Sequence, residues 1–222
     1  MKNKMKLLFT ILIFNFTQIN AQVPVSKEPL HRPVLLNKYL RLLDVLLKPG
    51  DTTQYHFHAT PSLFVHLSNT KLSAQIKGKE WIKEQSVSGK AWYNPFSPDI
   101  LIHRVTNCDT VPFHVTDIEI LSSYDTTHIY QNKPLPFTVL FENELSFAYK
   151  ITNQNINQKI TKSHGPLIAE LATGTGILFH DLKTNKSKEI QAGQYLYIDP
   201  ESSFYFSTSN TAEINMVLFE IK

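Results

Sequence analysis

The most constraining feature of this sequence is a short alternation of apolar and polar residues that continues along most of the chain. The alternating segments are rich in aromatic and β-branched residues, and Pro, Gly, Asn, Asp and Ser interrupt them at regular intervals. A period of two places successive side chains on opposite faces of a strand, whereas an amphipathic helix has a period of about 3.6 residues. The chain shows no long apolar repeat of the helical kind. The pattern therefore predicts an all-β sandwich or barrel.

Three histidines form the clearest candidate site. His56 and His58 are two residues apart, so on a strand both imidazoles point to the same face. His103, well downstream, can supply a third imidazole from another strand. Imidazole suits iron, copper, nickel and zinc, and three facial ligands leave coordination positions open for substrate or water. We therefore expect a metal site at His56, His58 and His103.

The segment from Gly50 to His58 resembles the first motif of the cupin superfamily, G-x5-H-x-H-x3–4-E-x6-G. The family's second motif, G-x5-P-x-G-x2-H-x3-N, is represented by His103-x3-Asn107. The glutamate of the first motif falls near Ser62 or Leu63, neither of which binds a metal strongly. The resemblance implies a small double-sheet jelly roll, with three histidine ligands in place of the commoner three histidines and one glutamate.

The sequence His-Arg-Val-Thr-Asn at 103–107 looks like the segment around the third ligand of the thiol dioxygenases, which are cupins. The β-diketone-cleaving dioxygenases are a second cupin group with three histidine ligands. This resemblance implies a divalent metal, with iron(II) expected and zinc, nickel or manganese as alternatives. It also implies a small substrate that chelates the metal or binds it as an anion.

An internal repeat indicates that the cupin unit occurs twice. Pairing Leu40 with Leu145 gives an offset of 105 residues, and pairing His103 with Phe204 gives an offset of 101. We predict two tandem cupin units, an N-terminal one at 22–121 with the metal site and a C-terminal one at 137–222. A polar, proline-containing linker at 122–136 would join them.

The second unit is expected to lack metal ligands. Phe204 stands at the position of the third histidine, and the alignment places Thr161 and Ser163 at the positions of the first two. His164 is one residue away and is interpreted as a loop histidine. The second unit would then be a degenerate cupin that packs against the first.

Two acids form a candidate catalytic pair. Asp117 and Glu119 lie in an alternating run and share one face of the predicted strand. If that face is internal, both carboxylates adjoin the metal and can perform acid–base chemistry. If it is external, they are ordinary solvated charges, and the sequence leaves both alternatives open. His66 is expected to be a satisfied or surface histidine, and Arg41 is either a contact for an anionic substrate or a surface residue.

The N-terminus has the layout of a secretory signal peptide at 1–21. Three lysines precede an apolar run, and a small residue, Ala21, comes directly before Gln22. Cleavage removes those three lysines and no acid, which leaves 19 basic and 19 acidic residues. A formal net charge of zero provides no electrostatic basis for nucleic-acid binding. We expect a periplasmic or secreted protein without stable membrane insertion after cleavage, either monomeric or a homodimer.

Three functions are compatible with these features. The leading one is a metal-dependent bicupin enzyme, an iron(II) oxygenase acting on a small chelating or anionic substrate. A non-catalytic cupin that binds a sugar or another small ligand is the first alternative. A metal-dependent lyase or isomerase with Asp117 or Glu119 as its base is the second.

Overall fold

The computed structural model describes residues 22–124 and 133–222. The predicted signal peptide and the central part of the predicted linker lie outside these ranges. Strands account for nearly all regular structure, and the described helices are two 3-10 turns at Val25–Lys27 and Asn153–Asn155. In these ranges no helix has the length and apolar character needed to cross a membrane. The predicted all-β class is confirmed.

The first unit consists of two five-stranded sheets that face each other. One sheet has the order β1-β4-β9-β6-β7 and the other has the order β2-β3-β10-β5-β8. The strands are β1 (Val23–Pro24), β2 (His31–Leu36), β3 (Leu40–Leu47), β4 (His56–His58), β5 (Ser62–His66), β6 (Lys71–Ile76), β7 (Ile82–Gln85), β8 (Ala91–Asn94), β9 (Leu101–Asn107) and β10 (Phe113–Ile120).

The second unit repeats this arrangement. Its five-stranded sheet has the order β11-β12-β18-β13-β16, and its three-stranded sheet has the order β15-β14-β17. The strands are β11 (Thr138–Glu142), β12 (Ser146–Ile151), β13 (Leu167–Thr173), β14 (Ile177–Asp181), β15 (Lys186–Ile190), β16 (Tyr195–Ile198), β17 (Phe204–Thr208) and β18 (Asn215–Ile221). Matching the two sheet orders pairs β3 with β12 and β10 with β18, so the chain contains two tandem jelly-roll units.

Matched turns define the register between the two units. The Asn37 side chain accepts hydrogen bonds from the backbone N–H groups of Tyr39 and Leu40. Asn143 does the same for the N–H groups of Leu145 and Ser146. Leu40 is therefore equivalent to Ser146, an offset of 106, and the predicted pairing with Leu145 is wrong by one residue. A shift of one residue moves a side chain to the opposite face of its strand.

The β2-β3-β10-β5-β8 sheet of the first unit packs against the five-stranded sheet of the second. Alternate side chains of β3, β5 and β10 point away from the interior of the first barrel. They pack against alternate side chains of β12, β13 and β18 and form one apolar layer. The fully buried members of this layer are Leu40, Leu42, Leu63, Val65, Ile118, Ala148, Ile168, Val217 and Phe219. The residues between them point inward, so β10 has one face on the second unit and the other on the interior of the first barrel.

The two barrels are filled differently. The second is closed by a large apolar cluster that includes Tyr149, Phe204, Phe206 and Met216, all at most 1% exposed. The core cluster inside the first barrel is much smaller: Val45, Leu47, Leu72, Phe113 and Val115. The first barrel therefore retains an internal cavity.

Candidate metal centre

The three predicted histidines lie together inside the first barrel. β4 pairs antiparallel with β9, and His56 is directly opposite His103 in the register. His58, two residues along β4, points to the same face. One ring nitrogen of each residue lies within 4.8 Å of the others. Adjacent strands thus assemble the facial arrangement that the spacing predicts.

A hydrogen bond orients the His56 ring, and a carboxylate lies beside the His58 ring. Nδ1 of His56 lies 2.9 Å from the backbone oxygen of Gln54. A carbonyl oxygen only accepts, so Nδ1 carries the hydrogen and Nε2 presents its lone pair. That Nε2 is buried and has no hydrogen-bond partner. Nδ1 of His58 lies 3.4 Å from Oδ2 of Asp117, and its Nε2 faces Nε2 of His103 at 3.0 Å.

Burial favours the neutral form of His56 and His103. His56 is fully buried, and desolvation, followed by the neighbouring His31 and His58, lowers its pKa to about 3. Desolvation likewise lowers the pKa of His103 to about 2, with contributions from His56 and His58. An imidazole must be deprotonated at the nitrogen that binds a metal, so these environments favour the form that a ligand needs.

The residues fit a divalent metal. A buried imidazole nitrogen without a partner is costly in a protein interior, and Nε2 of His56 is in that position beside two other imidazoles. A carboxylate next to the outer nitrogen of a ligand histidine is the usual support of such sites. Asp117 has that place relative to His58.

The two predicted acids are both buried but differ in their surroundings. Asp117 is 1% exposed and lines the cavity, and both of its carboxylate oxygens lack a hydrogen-bond partner. Glu119 is 3% exposed and is not among the cavity-lining residues. Its Oε2 accepts a hydrogen bond from Nε of Arg41, directly opposite on β3. The face shared by Asp117 and Glu119 is therefore internal, and of the two acids only Asp117 lies beside the histidine cluster.

Sequence reasoning missed His31 and Glu28. His31 is buried, lines the cavity and contacts the ring of His56, with 4.6 Å between the centroids. Its Nδ1 lies 2.7 Å from Oε2 of Glu28, and the other oxygen of Glu28 accepts from the backbone N–H of Gln54. Glu28 thus connects His31 to the residue that orients His56. No fixed spacing signals this contact, because it depends on β1 running beside β4.

His66 differs from its predicted role. It is 8% exposed, lines the same cavity and packs edge-on against Trp92 and Phe113. Its Nδ1 is buried without a hydrogen-bond partner, so the interpretation as a satisfied or surface histidine is wrong. β5 begins at Ser62, and its alternate residues Phe64 and His66 both line the cavity.

The cavity has a volume of about 180 Å³ and combines apolar walls with these polar groups. Phe64 and Trp92 stack on each other with centroids 4.9 Å apart. Phe96 stacks on the His58 ring at 4.7 Å and is 5% exposed. Aromatic side chains therefore cover the histidines and restrict the access of water to them.

The second unit has no equivalent cluster among its described residues. An isolated bridge pairs Ile160 with Phe204, as His56 pairs with His103 in the first unit. The position of the first histidine is therefore occupied by Ile160, one residue before the predicted Thr161. Phe204 has the place of His103 in this pairing, is fully buried and belongs to the apolar cluster of the second barrel.

No protein-family model matches this chain, and no curated protein sequence matches it. Solved structures do match. AerE from Microcystis aeruginosa superposes with a TM-score of 0.56 at 15% identity, covering 88% of this chain and 98% of that one. A variant of salicylate 1,2-dioxygenase from Pseudoaminobacter salicylatoxidans, in complex with gentisate, gives 0.59 at 11% identity, covering 89% and 76%.

A cupin 2 conserved barrel domain protein from Leptotrichia buccalis gives a TM-score of 0.54 at 10% identity, covering 86% of this chain and 87% of that one. Identities this low establish a common fold and leave activity open. The likeness extends over most of each chain and agrees with the two jelly-roll units described above. The chain therefore has the fold of these cupin proteins, in two tandem jelly-roll units.

Proposed function

We propose that this chain is an exported, metal-dependent bicupin oxygenase with His56, His58 and His103 as its metal ligands. The observation that carries the proposal is the three-histidine cluster at an internal cavity, with Nε2 of His56 buried and free of any hydrogen bond. Iron(II) is the metal proposed, because it would supply the redox chemistry that no side chain of the cavity provides. Export rests on the sequence pattern of residues 1–21.

The side chains would contribute orientation and exclusion of water. The Asp117 carboxylate, 3.4 Å from Nδ1 of His58, would favour the orientation in which Nε2 of that ring points toward His103. Gln54 performs the same task for His56 through its backbone oxygen. Three neutral imidazoles leave the double charge of a divalent metal uncompensated, so a substrate that binds as an anion through two atoms would be favoured.

Asp117 also supports a second candidate, a metal-dependent lyase or isomerase. Its two carboxylate oxygens lie in the cavity without a hydrogen-bond partner, so they are available to accept a proton from a bound substrate. Such a reaction needs a metal but no oxygen. The two candidates therefore differ in oxygen consumption.

The test begins with metal analysis of protein purified without an affinity tag. We expect about one metal per chain, and its loss in each of His56→Ala, His58→Ala and His103→Ala. The matched control is His164→Ala, in the second unit, which should retain full occupancy. Full occupancy in His103→Ala would refute the ligand assignment.

Oxygen uptake by the iron-loaded protein, measured with a panel of chelating substrates, separates the functions. Substrate-dependent uptake supports the oxygenase. Turnover without uptake supports the lyase or isomerase. Binding of metal and ligand without turnover in air or under nitrogen would identify a binding module and refute both enzyme proposals.

A further inference from the structure

The volume of the cavity limits the size of its ligand. A cavity of about 150 Å³ lined by apolar residues is sufficient to bind benzene. The cavity beside the three histidines has about 180 Å³. It therefore has room for one six-membered ring with small substituents, and a two-ring ligand would have to project through the opening.

The charges around the cavity limit the chemistry of that ligand. Among the described residues that line it there is no lysine or arginine, and its acids are Asp117 and Glu84. The nearby Arg41 is held by Glu119, and Lys90, which neighbours His66, is exposed. A negative group away from the metal would lose its hydration without gaining a partner, which is costly.

His66 supplies a polar group in an otherwise aromatic part of the cavity. Its ring lies 4.8 Å from that of Trp92 and 5.6 Å from that of Phe113, between centroids. Burial, with a smaller contribution from Lys90, lowers the pKa of His66 to about 4, so the ring is neutral near pH 7. A neutral imidazole has one donor and one acceptor nitrogen. Nδ1 has no partner in the protein, so a ligand can provide one.

His66 and Phe64 are alternate residues of β5, and both side chains line the cavity. On β10, Asp117 is opposite Phe64 and Val115 is opposite His66. Asp117 contacts His58, and His66 lies two residues after Phe64, about 7 Å further along β5 at the usual rise of a strand. A ring bound at the histidines therefore extends along the wall toward His66.

We propose that the substrate is a single-ring compound that binds the metal through two adjacent oxygens, carries no further anionic group, and presents a hydroxyl or carbonyl to His66. This proposal rests on the metal-dependent function above and adds to it a substrate class and a specificity-determining residue. It predicts that the site binds a catechol or a cyclic hydroxyketone more tightly than the same ring with an additional carboxylate.

Calorimetric titration of the zinc-loaded protein under nitrogen tests the proposal, because zinc holds the site without redox turnover. The probes are catechol, 3,4-dihydroxybenzoate and 1,2,4-trihydroxybenzene. We expect the carboxylate to weaken binding about tenfold or more relative to catechol. We expect the third hydroxyl to strengthen binding about fivefold, the usual effect of one added hydrogen bond.

Two variants assign the second effect to His66. His66→Leu should abolish the advantage of 1,2,4-trihydroxybenzene over catechol when both are measured on the same variant. His66→Gln retains a donor and an acceptor and should preserve part of the advantage. An equal advantage in all three proteins would overturn the role of His66.

The carboxylate comparison uses the unmodified chain, so it does not depend on whether a variant folds. Binding of 3,4-dihydroxybenzoate as tight as that of catechol, or no binding of any probe, would overturn the substrate class. Zinc content is measured in the same samples. Absence of zinc refutes the metal site itself, whereas full zinc with the wrong selectivity refutes only this inference.

Discussion

Glu170 provides the sharpest test of the packing between the two units. It lies on β13 in the apolar layer, on the same face as Ile168 and Ala172, and is fully buried. Its Oε2 accepts a hydrogen bond from Oγ1 of Thr116 at 2.6 Å, and its Oε1 has no partner. Burial raises the pKa of Glu170 from 4.5 to about 8, while the Thr116 hydrogen bond opposes the rise and Asp44 adds to it.

The raised pKa makes stability depend on pH in a definite direction. Below pH 4.5 Glu170 is protonated in both the folded and the unfolded chain, so it contributes no pH dependence. Between pH 4.5 and 8 the folded chain keeps a proton that the unfolded chain releases, and the free energy of unfolding falls as pH rises. The fall is about 1.4 kcal/mol per pH unit, so it reaches about 3 kcal/mol at pH 7 and about 5 kcal/mol at pH 8, as upper limits.

Glu170→Gln removes this titration and leaves a side chain of similar shape that can still accept from Thr116. We expect the variant and the unmodified protein to differ little in pH dependence near pH 4.5. The variant should then gain relative stability steadily up to pH 8. Urea unfolding of the metal-free proteins at pH 5, 6, 7 and 8 measures the difference. Comparing the two proteins at each pH cancels the titration of Asp44 and other groups.

The matched control is Glu213→Gln, which changes an exposed glutamate of the second unit. Its stability should follow that of the unmodified protein at every pH. If Glu170→Gln also remained parallel to the unmodified protein from pH 5 to 8, Glu170 would titrate normally. The burial of Glu170 in the apolar layer between the units would then not control its pKa.

Three further predictions concern other parts of the chain. Asp117→Asn should weaken metal binding about 10–100-fold, measured by competition with a chromophoric chelator, because the support of His58 is reduced; unchanged affinity would contradict the orienting role. Phe219→Ala, at a fully buried position between the units, should lower the free energy of unfolding by about 3–5 kcal/mol in urea titrations; a loss below about 1 kcal/mol would mean that the layer repacks. Protein recovered after export should begin at Gln22 by intact mass, and a mass that includes residues 1–21 would contradict cleavage.

Local sequence patterns are informative where the physical rule is itself local. Residues two apart on a strand share a face, so their spacing alone is enough to place His56 and His58 together. The same alternation puts Asp117 and Glu119 on one face. It does not say which partners that face meets, and only the tertiary structure pairs Glu119 with Arg41 and directs Asp117 toward His58.

Contacts between distant segments are less predictable. His31 contacts the ring of His56 from β2, which pairs with β3 in the opposite sheet, so the contact joins strands that are not neighbours in either sheet. The repeat is recognisable in the sequence, but the predicted pairing of Leu40 with Leu145 is wrong by one residue. The correct alignment of Asn37 with Asn143 is visible only from the turn hydrogen bonds that both side chains accept, and the weak sequence similarity does not show them.

The amino-acid sequence by itself indicated the strand class through its periodicity. It indicated the three clustered histidines and the doubling of the unit through spacing together with the resemblance to the cupin motifs. The tertiary structure alone decided which groups surround that cluster. It left His66 without a partner in an aromatic cavity and enclosed Glu170 between two sheets. Burial and the loss of hydration depend on what packs against a residue from elsewhere in the chain, and one-dimensional patterns do not specify those neighbours.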